Sequence, residues 1–222
     1  MVWYKVLKIL VFVCLALIWC LPWIRRRLLT LPAIFSFVWG GIAFLSIVWV
    51  QIPLQKVYSE ALLGTAVPNF FRALGFAGIS GFVQELFKAI GPIIGIILLR
   101  DRLKLQPIVL GVVAGAGFGL TEALVLTWNS PLSFWGTFER FLAICFHVGA
   151  SGLILYGFKR KKVFLFYIIA ALAHGGLNFL VWVFRRGYFS IASFEVLAFI
   201  YALVLFFIVL ILSYRKEETC SV

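Results

Sequence analysis

Apolar residues run along this chain in seven nearly unbroken stretches, at about 3–24, 31–52, 74–99, 106–128, 134–158, 163–184 and 190–213, separated by short polar breaks. A run of 18 or more apolar residues with few charges is long enough to cross the hydrocarbon core of a bilayer as a helix. The runs are continuous and do not alternate, so they read as helices and not as the strands of a barrel. The pattern predicts an all-α polytopic transmembrane helical bundle of about seven spans. It leaves room for a single integral membrane domain, residues 1–222, and for no separate soluble one. Trp23, Trp128 and Tyr188 fall near span ends, where amphipathic rings anchor at the interface. The first run is only loosely like a signal peptide. It ends in Arg25-Arg26-Arg27 where a small-residue cleavage site would stand, and is expected to be retained as a span.

The polar breaks carry the orientation signal. With alternate loops assigned to opposite sides, one side receives Arg25, Arg26, Arg27, Arg100, Arg102, Lys104, Lys159, Arg160, Lys161, Lys162, Arg215 and Lys216. The other receives Lys5, Lys8, Lys56, Arg72, Arg185 and Arg186, and Lys88 and Arg140 lie within spans. The bias puts the C-terminus in the cytoplasm and the N-terminus outside. The longest break, Pro53 to Ala73, mixes charged and large apolar residues, as does a helix lying in the outer interface; an extended loop fits equally well. Gly111, Gly115 and Gly119 recur every four positions and predict close helix packing. The Gly175-Gly176 pair predicts the same, or a loosened helix.

Composition agrees: 64% of the 222 residues are hydrophobic and 13% charged, with a mean hydropathy of +1.11. The net charge of +12 clusters at span ends, which points to anionic lipid and away from nucleic acid. Cys14, Cys20, Cys145 and Cys220 have no metal-type spacing, and three of them lie in apolar runs as small hydrophobes.

The informative residues are the polar ones inside the runs. A charge at the bilayer centre costs roughly 2.5–3.5 kcal/mol on insertion scales, so an ionisable residue there marks a functional site by default. The third run carries Gln84-Glu85-Leu86-Phe87-Lys88, with Glu85 and Lys88 three apart and Gln84 and Lys88 four apart on one helical face. The fourth carries Glu122, the fifth His147, and the sixth His174 and Asn178, again i and i+4. Counting at 1.5 Å per residue, Glu85 sits roughly 16 Å below the outer end and Glu122 roughly 9 Å. His147 and His174 fall near the middle of their spans. All four can meet in the outer half to middle of the membrane. Glu139, Arg140 and Glu195 lie nearer span ends and are weaker candidates.

Two carboxylates and two imidazoles in lipid suit hydrolysis by activated water, in which a tuned carboxylate takes a proton and a histidine donates one or steadies an oxyanion. The same inventory could hold a divalent metal such as zinc through Glu122, His147 and His174. It could also relay protons in a transporter, although no inverted repeat between halves is visible. No serine or cysteine stands in a nucleophile motif near these groups.

The ordered set Gln84-Glu85-Leu86-Phe87-Lys88, Phe118 to Glu122, His147, and His174 to Asn178 resembles the PrsW-like branch of the CAAX-protease and bacteriocin-processing superfamily of intramembrane proteases. That family carries Glu-Glu-x-x-Lys, Phe-x-x-x-Glu, His, and His-x-x-x-Asn or Asp on successive helices. The resemblance covers about residues 84–178, inside a motif-bearing core of about 74–184. It implies a membrane-embedded endopeptidase of a bacterial plasma membrane that cuts single-pass, anti-sigma-factor-like substrates on the extracytoplasmic side. Glu85, Glu122, His147, His174 and Asn178 would be catalytic, with Gln84 and Lys88 in support. In relatives the first glutamate of the pair is a leading candidate for the general base, and here that position is Gln84. Three alternatives follow: a non-catalytic relative that binds a partner's transmembrane helix, an isosteric glutamate-to-glutamine replacement, or a base supplied by Glu85 or Glu122.

Overall fold

A computed structural model describes residues 2–24, 30–98 and 106–214. Its helices are α1 (Val2–Ile24), α2 (Leu31–Ala43), α3 (Ile52–Ala61), α4 (Asn69–Leu98), α5 (Pro107–Thr127), α6 (Phe134–Lys159), α7 (Val163–Arg185) and α8 (Ile191–Tyr214). Among the described residues, seven helical stretches are long and apolar enough to cross a membrane, which makes the chain a multi-pass membrane protein. Of the basic groups assigned to the cytoplasmic side, only the turn at Lys159, Arg160, Lys161 and Lys162 belongs to the described residues; Arg25 to Arg27, Arg100, Arg102, Lys104, Arg215 and Lys216, like Cys220, lie outside them.

The segment from Pro53 is not an extended loop: it begins as helix α3, continuous with α2. A wide π turn, Ile47–Gln51, carries α2 on into α3, and together Leu31–Ala61 form one candidate span of 31 residues. Proline ordinarily clashes with the carbonyl one turn back in a helix. The wider π turn just before Pro53 gives that carbonyl room. The remaining turn is closed by Arg72, whose guanidinium donates to the carbonyls of Leu62 at 3.1 Å, Thr65 at 3.0 Å and Val67 at 3.0 Å. Helix α4 therefore begins at Asn69, earlier than the apolar pattern predicts.

Helix α5 is apolar all round, and every residue from Ile108 to Leu120 is buried, as befits the central helix of a bundle. Its glycines let backbones touch. A Cβ on Gly115 would overlap the carbonyl oxygen of His147, and one on Gly111 that of Ser151 on α6. Gly117, on another face, meets the Phe37 carbonyl of α2, a contact that the 111/115/119 spacing does not announce. Gly81 of α4 lies against Ala171 and Gly175 of α7. These close approaches bring the helices carrying Glu85, His147 and His174 together. The Gly175-Gly176 pair sits within a continuous α7, so its role is packing.

Lys8 is fully buried at the start of α1. Its ammonium donates to the carbonyl of Thr127, to that of Trp128 at 3.3 Å and to that of Ser130 at 2.7 Å, capping the C-terminus of α5. The start of α1 and the end of α5 therefore share one side of the bundle, as seven alternating spans require. A cation at a helix C-terminus that also satisfies terminal carbonyls stabilises by about 2 kcal/mol. Lys8→Met is expected to lower the midpoint of thermal unfolding in detergent, and an unchanged midpoint would contradict this role.

Candidate functional site

On α4, Glu85 and Lys88 face inward together, both side chains fully buried. Lys88 Nζ lies 2.6 Å from Glu85 Oε1 and 2.9 Å from His147 Nδ1. The other imidazole nitrogen, His147 Nε2, lies 3.1 Å from Glu122 Oε2 of α5. His174 Nδ1 of α7 lies 2.7 Å from Glu85 Oε1. One hydrogen-bonded chain, Glu122–His147–Lys88–Glu85–His174, thus joins four helices. The chain is held from outside by aromatic contacts. Phe118 packs on the His147 ring at 4.8 Å, and the Lys88 ammonium lies 5.0 Å from the same phenyl ring.

Donor and acceptor roles follow from the partners. An ammonium only donates and an ionised carboxylate only accepts. His147 Nδ1 therefore accepts from Lys88, which leaves the proton on Nε2, donated to Glu122. His174 Nδ1 carries a proton donated to Glu85, which leaves the Nε2 lone pair free for chemistry. Glu85 Oε1 takes both the ammonium and the imidazole, while its Oε2 is buried without a partner.

A cavity of about 210 Å³ opens beside this chain, lined by Glu122, Arg140, His147, His174, Leu177 and Asn178 among others. Glu139 and Arg185 also line it, at the end of the bundle where α6 begins and α7 ends. Arg140, a weak candidate by sequence, is a member of the site: its Nη1 lies 3.6 Å from Glu122 Oε2, and its Nη2 donates to Glu139. Glu85 is sealed behind the cavity wall, whereas the Glu122 side chain is 16% exposed. Glu195 is buried close to Glu139 and Arg140, with Oε2 unpartnered.

Gln84 does not join the chain that Glu85 forms. Its amide Nε2 donates to Gln51 Oε1 at 2.8 Å, across the α2–α4 contact. Gln51 and Gln55 both donate to Ser80 Oγ at 3.0 Å, and Ser80 donates to the Phe76 carbonyl at 3.1 Å. Adjacent residues on a helix point about 100° apart, so Gln84 and Glu85 serve different neighbours. This second polar cluster, with Gln51 in the π turn, was not evident from the sequence, because Gln51 and Gln55 stand at the very edge of an apolar run.

The sequence offers Glu122, His147 and His174 as the ligands if a metal is bound. The donor atoms that converge are instead those of Glu85, His147 and His174, all within 4.8 Å of one another. The reason is that Glu122 binds the outward nitrogen of His147 and is drawn to Arg140. Even the converging set does not fit a resident metal, because the Lys88 ammonium already contacts two of its members. Compared with known proteins, the chain matches no family model, no curated protein and no solved structure.

Proposed function

We propose that this chain is an intramembrane endopeptidase of the PrsW-like kind, which hydrolyses a peptide bond of a single-pass membrane protein with water activated by histidine. The observation that carries the reading is the Glu85–His174 pair behind a cavity that His174, Glu122, Arg140 and Asn178 line together. Glu85 fixes the tautomer and orientation of His174, as a buried carboxylate does for a catalytic imidazole. His174 Nε2 takes a proton from a water in the cavity, and the oxygen of that water bonds to the scissile carbonyl carbon. The resulting oxyanion is received by the Asn178 amide and the Arg140 guanidinium. When the carbon–nitrogen bond breaks, the His174 imidazolium gives its proton to the leaving amine. Glu122, held by His147 and Arg140, orients the water. Lys88 neutralises Glu85 and ties it to His147.

The cavity end of the bundle is assigned to the extracytoplasmic side of a bacterial plasma membrane, with the N-terminus outside and the C-terminus cytoplasmic, on the basic-residue bias. The substrate class is a membrane-anchored protein resembling an anti-sigma factor. The test is cleavage of a single-pass substrate by the purified chain in liposomes. His174→Ala and Glu122→Ala are each expected to lower the rate by about 10²–10⁴, with the folded protein retained. Cleavage unchanged in both overturns the reading, and substrate binding without turnover by the wild type favours a partner-binding role instead.

A further inference from the structure

A helical bundle that gathers one carboxylate and two imidazoles in lipid has built most of a transition-metal site. Here the atoms of Glu85, His147 and His174 come within 4.8 Å of one another, from α4, α6 and α7. All three residues are buried. An amine of the protein itself lies against two of them: Lys88 Nζ, at 2.6 Å from Glu85 Oε1 and 2.9 Å from His147 Nδ1.

The spacing has the scale of an ammonium. Tetrahedral ligands at the roughly 2.1 Å of zinc–nitrogen and zinc–oxygen bonds stand about 3.4 Å apart. Ligands around a hydrogen-bonded ammonium at roughly 2.8 Å stand about 4.6 Å apart. The widest separation, up to 4.8 Å, reaches the second value, whereas Glu85 Oε1 and His174 Nδ1, 2.7 Å apart, are bonded to each other. Charge agrees with size. The carboxylates of Glu85, Glu122 and Glu139 face two cations, Lys88 and Arg140. A divalent ion bound by Glu85 and His147 would lie beside the Lys88 ammonium in a low-dielectric interior, where their repulsion is least screened.

We infer that Lys88 is the resident cation of the centre, standing in the place of a divalent metal, and that Glu85, His147 and His174 form a latent transition-metal site that opens when the ammonium is removed. With Lys88 gone, His147 Nδ1 loses its donor and becomes a free ligand atom, Glu85 loses its neutralising charge, and the stem leaves space. A metal then replaces the proton between His174 Nδ1 and Glu85 Oε1, while the more distant ligand atoms close in to bonding distance. Glu122 then accepts from His147 Nε2–H and fixes the ring, as carboxylates do behind metal-bound histidines. The inference rests on donor geometry and charge and does not depend on the hydrolase reading.

The experiment is a Co²⁺ titration of the detergent-purified chain, read by visible d–d absorption and by thermal unfolding. The wild type is expected to show no stoichiometric band that depends on His174. Lys88→Ala is expected to take up one equivalent, at least roughly 100-fold more tightly than wild type, through the lost repulsion, and to unfold at a higher temperature with Co²⁺ than without. The band should vanish in Lys88→Ala combined with His174→Ala. Lys88→Leu, which keeps the bulk of the stem, checks the same gain if the alanine variant is poorly folded. Either of two results overturns the proposal: wild-type protein that binds one Co²⁺ through His174, or folded position-88 variants that bind none. Because no cleavage is measured, failure here is distinct from failure of the hydrolase reading.

Discussion

Glu85→Gln is expected to lower the rate of substrate cleavage by about 10³–10⁴, with little change in KM and with the bundle folded but less stable, because the buried Lys88 ammonium loses its counter-ion. The side chain keeps its shape, and the loss comes from the imidazole. The amide oxygen stays toward Lys88 and His174, because both donate to the one atom Glu85 Oε1, but it carries no charge, so the imidazolium formed in the reaction loses its buried counter-ion. A carboxylate-to-amide change behind a catalytic histidine costs about 10⁴ in kcat. Glu85 is sealed from the cavity, so it does not touch substrate, and a positioning role separates kcat from KM. The measurement is a kcat and KM pair for wild type and variant on one single-pass substrate. A rise in KM with unchanged kcat would place Glu85 in substrate binding and contradict the account.

The second large effect concerns Gln84. Gln84→Glu is expected to destabilise the protein by about 3 kcal/mol and to leave cleavage no faster than wild type. Gln84 is 5% exposed and donates its amide to Gln51 Oε1. A carboxylate there places an acceptor against an acceptor and buries a charge without a counter-ion, a change of this size in protein interiors. The neighbouring cations do not help, because Lys88 is committed to Glu85 and His147. Thermal unfolding in detergent together with the cleavage rate checks both halves. A tenfold or greater gain in rate would show that a carboxylate at position 84 serves as the base, and the orientation of α4 would then be misassigned. On the present geometry, glutamine at position 84 does not by itself argue against catalysis, because it belongs to the α2–α4 contact.

Much of this architecture was legible in the amino-acid sequence because lipid imposes a simple rule on it. Apolar runs of spanning length gave the seven helices, and ionisable residues inside those runs gave Glu85, Lys88, Glu122, His147 and His174, all of which join one hydrogen-bonded chain. The glycine spacing at 111, 115 and 119 marked the α5–α6 contact that seats His147. Features set by rotation about a helix axis were not legible. Helical spacing put Gln84 and Lys88 on a shared face, yet a turn of about 100° per residue is enough to send Gln84 to Gln51 and Glu85 to His174. Arg140 looked like an end-of-span charge because its long side chain hides how far it reaches. The π turn at Ile47–Gln51 has no composition signal, and Pro53 read as a break where the chain in fact continues as helix. Lys8 counted as a loop charge and is a buried helix cap.

The central claim is hydrolysis by water that His174 activates. The most direct measurement is mass spectrometry of the fragments formed from a single-pass membrane substrate in liposomes made up in ¹⁸O-water. The account predicts that the wild-type chain yields a new C-terminal fragment carrying one heavy oxygen, and that His174→Ala, equally folded, yields none. No labelled fragment from the wild type with a range of single-pass substrates, or the same labelled fragment from His174→Ala, would contradict it.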